Sequence, residues 1–140
     1  LHAPADAATE QSVKSGATTT TWQAMRDYDG FAAVAMWVTD GGSGGLIELS
    51  IYAATDASAS NATEIKTTGA IAADALGDYT VLEVSAEEVN DLGRGAATPL
   101  AFTHLTAYVD CTHDDDEVAV TYIQYGAKRP TSGLTAETIA

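Results

Sequence analysis

The chain has 140 residues, 20 of them acidic and 6 basic, for a net charge of −14. That length suits one domain with its own core, while that charge repels phosphate backbones and anionic lipid, so neither nucleic acid nor membrane is expected as a partner. One cysteine, Cys111, rules out an intrachain disulfide and a cysteine-built zinc site.

Residues 1–17 are small and polar, with Pro4 and Gly16, and read as an N-terminal arm. Leu1-His2-Ala3-Pro4 lacks the basic-then-apolar pattern of a secretion signal. The β-branched run from Thr18 to Gln23 predicts a first strand, and Arg26-Asp27-Tyr28-Asp29-Gly30 a turn. Phe31 to Val38 is almost wholly apolar, which predicts a strand covered on both faces. A glycine-rich hairpin loop at Asp40–Gly45 leads to Leu46–Ala53, where Ile47, Leu49 and Ile51 alternate with Glu48 and Ser50. Residues 54–62 read as a loop and Glu64–Thr68 as a short edge strand guarded by Lys66. Tyr79–Val84 is a strand with Leu82 and Val84 inward.

Ser85-Ala86-Glu87-Glu88 is a capping box, which predicts one short helix near 86–93 that packs Val89 and Leu92. Phe102–Cys111 and Val118–Ala127 are the last strands: Leu105, Ala107 and Val109 share one face with Thr103, opposite Phe102, His104, Thr106 and Tyr108, and Val118, Val120 and Tyr122 are split from Ala119, Ile123 and Tyr125. Cys111 reads as a small buried hydrophobe at a strand end, and a disulfide-free chain suits a reducing compartment. Residues 128–140 form a second arm. Short strands with turn signals at regular spacing predict an all-β fold, an antiparallel β-sandwich over 18–127, with jelly-roll topology first and an immunoglobulin-like order second. No run nears the roughly 20 apolar residues of a membrane helix.

Chemistry is sparse. Asp114, Asp115, Asp116 and Glu117 are consecutive carboxylates, and so candidate oxygen ligands for a divalent cation. Their spacing is not that of an EF-hand, and consecutive side chains point in different directions, so a solvated hairpin tip is the favoured account. His104 lies mid-strand, with His2 in the arm and His113 in the acidic turn. No Gly-x-Ser-x-Gly, HExxH, phosphate-binding loop or dinucleotide fingerprint occurs. Glu87 and Glu88 are explained by the helix dipole. No catalytic residue and no cofactor are expected, and an enzyme would need a cleft with paired, perturbed carboxylates. Trp22, Trp37, Tyr52, Tyr79, Tyr108, Tyr122 and Tyr125 could build a sugar-stacking platform if three rings were coplanar and exposed.

Three stretches carry a resemblance. Trp22-Gln23-Ala24-Met25-Arg26-Asp27-Tyr28-Asp29-Gly30-Phe31-Ala32-Ala33-Val34 is similar to the opening of small virion proteins of tailed bacteriophages. Gly77–Glu88 is similar to their strand-to-helix segment, and Tyr108-Val109-Asp110 with Val118–Tyr125 to their final strand pair. On these residues the chain resembles the jelly-roll head decoration, or cement, proteins of tailed double-stranded DNA bacteriophages. The resemblance implies a structural protein without cofactor, assembled in the host cytoplasm and seated on the capsid exterior. Its implied partners are the major capsid protein, whose junctions it stabilises, and copies of itself as dimer or trimer. The arms would then attach it, and Lys128, Arg129 and Pro130 become candidate capsid contacts, since Lys128-Arg129 is the one adjacent basic pair of the chain. A carbohydrate- or receptor-binding β module of a tail or fibre is the alternative.

Overall fold

The computed structural model describes residues 11–14, 18–19, 22–39, 46–72, 77–111 and 117–127. The chain runs β1 (Gln11–Lys14), β2 (Thr18–Thr19), β3 (Gln23–Ala24), β4 (Gly30–Thr39), β5 (Leu46–Ala54), β6 (Thr63–Ala72), β7 (Tyr79–Ser85), α1 (Ala86–Gly95), β8 (His104–Cys111) and β9 (Glu117–Tyr125). Two sheets result. The first has the order β1-β9-β4-β7; the second has β2-β8-β5-β6, with β3 also paired to β8. Every pairing is antiparallel, so the expected antiparallel sandwich with one short helix is what forms.

The period-two pattern of the sequence places the core. From the first sheet, Phe31, Ala33, Ala35 and Trp37 of β4, Leu82 and Val84 of β7, and Val118, Val120 and Tyr122 of β9 point inward. Leu49, Ile51 and Ala53 of β5 and Leu105, Ala107 and Val109 of β8 meet them from the second. Alternate residues of a strand face opposite sides, so a run with apolar residues at every second position buries one face. Three polar links tie the layers. Gln23 Nε2 donates to Tyr122 Oη at 2.8 Å, and the Tyr122 ring stacks on Phe31 with centroids 5.7 Å apart. Gln124 Nε2 donates to the Ala24 carbonyl at 2.6 Å. At the opposite edges, Lys66 Nζ of β6 donates to the Glu83 carbonyl of β7 at 2.9 Å.

The structure corrects several expectations. Residues 11–14, placed in the N-terminal arm by their composition, form β1 on the outer edge of β9, with Gln11 opposite Val120 and Lys14 opposite Glu117. Edge pairing uses backbone N–H and C=O groups, which every residue but proline carries, so no apolar pattern is needed. The single strand expected from Thr18 to Gln23 is two short pieces, β2 and β3, both on β8. The strand expected at 64–68 extends to Thr63–Ala72, although it is an edge strand as expected. On α1, Val89 is buried but Leu92 is 42% exposed. Most consequentially, among the described residues β4 is covered on one face only: Phe31, Ala33, Ala35 and Trp37 are buried, while Met36 and Val38 on the other face are 43% and 42% exposed.

Candidate functional site

The described end of the sandwich is built by the β3–β4 turn, the β5–β6 loop and α1. Ser85 starts the helix. Its Oγ accepts from the Glu88 amide at 3.1 Å, and the Glu88 carboxylate accepts from the Ser85 amide at 2.7 Å. Those hydrogen bonds from Ser85, with Lys66 nearby, hold the Glu88 carboxyl below its ordinary range. The helix start is tied to the rest of the corner by the backbone, since Ala86 N donates to the Asp29 carbonyl at 2.7 Å and Asp29 N to the Tyr125 carbonyl at 2.9 Å. Gly30 follows because nothing larger fits: a Cβ there would stand 2.1 Å from Tyr125 Cζ. The Tyr125 hydroxyl crosses Gly30 to donate to Glu83 Oε1, and that carboxylate pushes the Tyr125 pKa up to about 12.

Between α1 and the second sheet lies a cavity of about 470 Å³. Met25, Val89, Phe102 and Leu105 form its apolar floor, and Arg26, Asn90 and His104 its rim. His104 Nδ1 lies 2.8 Å from Thr103 Oγ1, and Thr103 Oγ1 also donates to the Thr55 carbonyl at 2.7 Å. The neighbouring Asp56 carboxylate is committed to its own loop, accepting from Ser58 N at 2.8 Å and Ser60 N at 3.1 Å. Hydrogen bonding from the Ser60 side chain first, then from the Ser60 and Ser58 amides, holds its pKa below the ordinary value. The arrangement offers contact to a small apolar group; its imidazole lies against the Thr103 hydroxyl.

The sequence candidates are distributed as follows. Asp114, Asp115 and Asp116 lie outside the described residues, as do Lys128, Arg129 and Pro130, His2 and His113. Glu117 begins β9, its Cα opposite Lys14 and Thr39. Among the described residues no three of His, Cys, Asp and Glu come together as a metal site would require, and no helix is long and apolar enough to cross a membrane. The seven candidate aromatic rings do not form one platform. Trp37 and Tyr122 are core residues, and Tyr125 is folded over Gly30. Tyr52 and Tyr108 form a pair on the second sheet with ring planes inclined by 52°.

A feature that sequence reasoning missed is the outer face of the first sheet. Of the six large hydrophobic side chains exposed among the described residues, Met36, Val38, Tyr79 and Val81 all belong to β4 and β7. The register sets them in rows: Tyr79 beside Met36 beside Ala119, then Val81 beside Val34 beside Thr121, then Glu83 beside Ala32 beside Ile123. The signal was present in the unbroken apolar run of β4, which carries apolar residues on both faces.

No family model and no curated protein matches the chain. Among solved structures it is similar to a chain in the structure of infectious bursal disease virus Gt strain, with a TM-score of 0.38 and 14% identity. The match covers 87% of this chain and 29% of that one; at that score it carries no weight for fold or function.

Proposed function

We propose that this chain is a structural protein of a virion, a decoration or cement protein that binds the outer surface of a phage head and stabilises the junctions between capsomers. The observation that carries the reading is the strand order. With β2 and β3 taken as one interrupted strand on β8, each sheet has four positions, and both interleave an early, a late and two middle strands. That interleaving supports a jelly-roll reading, an architecture that recurs in capsid and lectin domains. The sequence resemblance over 18–127 points the same way. So does the composition, because a strongly acidic surface keeps an abundant protein soluble until it finds its site.

In this reading the ends of the chain attach the particle-bound protein, and many weak contacts on a lattice gain from avidity. The test is co-sedimentation with purified phage heads that lack the protein. Full-length chain is expected to bind at a fixed ratio per capsomer. Removing residues 1–10 or 128–140, which leaves β1 in place, is expected to weaken binding while near-UV circular dichroism stays that of the folded sandwich. Glycan-array binding without attachment to heads would instead favour a carbohydrate- or receptor-binding module of a tail or fibre.

A further inference from the structure

We propose that the outer face of the first sheet is the surface through which two copies of this chain associate. The proposal deepens the reading above, which expects self-association but assigns it no surface. Sequence patterning makes β4 a strand for burial on both faces, and the described residues cover only one of them. The uncovered face presents Met36, Val38, Tyr79 and Val81, 42–72% exposed, around Val34 and Ala32, with Ala119 and Ile123 beside them. Such contiguous apolar surface on a soluble chain marks an interaction site.

Charge selects the occupant. A molecule of net charge −14 meets repulsion from its own copy almost everywhere. On the β4, β7 and β9 rows of this face the carboxylates are Glu83, which already accepts the Tyr125 hydroxyl, and, at the far end of the β9 row, Glu117, opposite Lys14 of β1. Apolar rows facing their own image across a two-fold axis are self-complementary, as an isologous contact requires. The neighbouring route is obstructed, because Lys66 Nζ occupies the Glu83 carbonyl at the free edge of β7, and a lysine at a strand edge opposes continued pairing there. The contact is therefore face to face.

Size sets its strength. Three strands about 4.8 Å apart and about nine residues long cover roughly 400 Å² in projection. Two such faces fall in the range of weak, reversible interfaces. The pair forms where copies are concentrated and separates on dilution.

The test is sedimentation velocity on the purified full-length chain, from micromolar to millimolar protein, at low and high salt. The weight-average sedimentation coefficient is expected to rise from monomer towards dimer with concentration. Added salt is expected to strengthen the effect, since it screens the repulsion between acidic surfaces. Val81→Asp places an unpaired charge in the contact and is expected to weaken dimerisation by about a hundredfold. Leu92→Asp, on α1 and away from the sheet, is expected to leave it intact. Val81→Thr, a milder change at an exposed position, serves if the aspartate variant does not fold, and is expected to weaken the dimer by a smaller factor. A chain that stays monomeric at all concentrations overturns the proposal, as does a folded Val81→Asp variant that associates like the parent. If the chain is monomeric in solution while Val81→Asp abolishes binding to heads, the face belongs to the capsid protein and the proposal again fails, with the virion reading intact. A chain that dimerises as described but does not bind heads leaves the proposal standing and removes that reading.

Discussion

The two sheets have matching inner faces and opposite outer ones. On the second sheet the outward side chains satisfy one another through polar bonds. Thr67 Oγ1 donates to Glu48 Oε1 at 3.0 Å, Tyr52 Oη to Glu64 Oε2 at 3.2 Å, and the Tyr52 and Tyr108 rings lean together. Burial and the nearby Glu64 carboxylate raise the Tyr52 pKa, which keeps its hydroxyl a donor. On the first sheet the outward rows are mostly apolar: Tyr79, Met36 and Ala119, then Val81 and Val34 with Thr121, then Ala32 and Ile123 with Glu83. One sheet is thus finished as a solvent surface and the other as half of a contact. Antiparallel sheets can leave one face in water when alternation is clean. β4 breaks the alternation, and its sheet is the one left unfinished.

Three measurements would break or sharpen that contrast, each made in dilute solution where one protomer stands alone. Phe31→Ala empties an inner position under Tyr122 and is expected to cost about 3–5 kcal/mol in urea unfolding. Val81→Thr, on the outer face, should change stability by no more than about 0.5 kcal/mol. If the outer substitution costs as much as the inner one, the face is covered within a single protomer and the contrast disappears. Gly30→Ala comes next. Its Cβ collides with the Tyr125 ring, so the ring and its bond to Glu83 must move, at about 1–3 kcal/mol. Combining it with Tyr125→Ala should recover much of the loss, and strictly additive costs would show that the close approach is unimportant.

A further effect concerns the corner shared by the first sheet and α1. Ser85→Ala removes the cap and is expected to cost about 1 kcal/mol. The Glu88 carboxyl is depressed in the folded chain, so its contribution is present above the ordinary carboxyl range and is lost as pH falls through the depressed value. In acid the gap between parent and Ser85→Ala should therefore narrow by the share that the Ser85 side chain contributes to the Glu88 carboxylate, while the bond from the Glu88 amide to Ser85 Oγ remains; a gap that persists unchanged at low pH would contradict the reciprocal cap.

Much of this was legible from residues alone. The inward sets Leu105, Ala107, Val109 and Val118, Val120, Tyr122 follow from period two, and the start of α1 from Ser85 and Glu88. β1 was not legible, because its place depends on the free edge of β9 and not on its own side chains. Nor was the cavity beside α1, whose lining comes from β3, the helix and the residues before β8, far apart in sequence and joined only by the fold. The apolar run of β4 predicts a strand covered on both faces, whereas Met36 and Val38 are exposed. Whether the chain itself supplies the second cover depends on how many layers it makes, and a strand's own pattern does not contain that number.

The strand order has a consequence in time. β8 and β9 each lie second in their sheet, between strands made much earlier. A nascent chain that has reached residue 103 holds β4 with β7 and β5 with β6, and neither sheet has its central partner. Contacts of such long sequence separation form slowly, and until they form, the strands that await β8 and β9 are open edges prone to wrong pairing. Folding of this sandwich is therefore a late event in synthesis, completed by its last two strands together, and chains stalled after α1 are the species that a chaperone would need to hold.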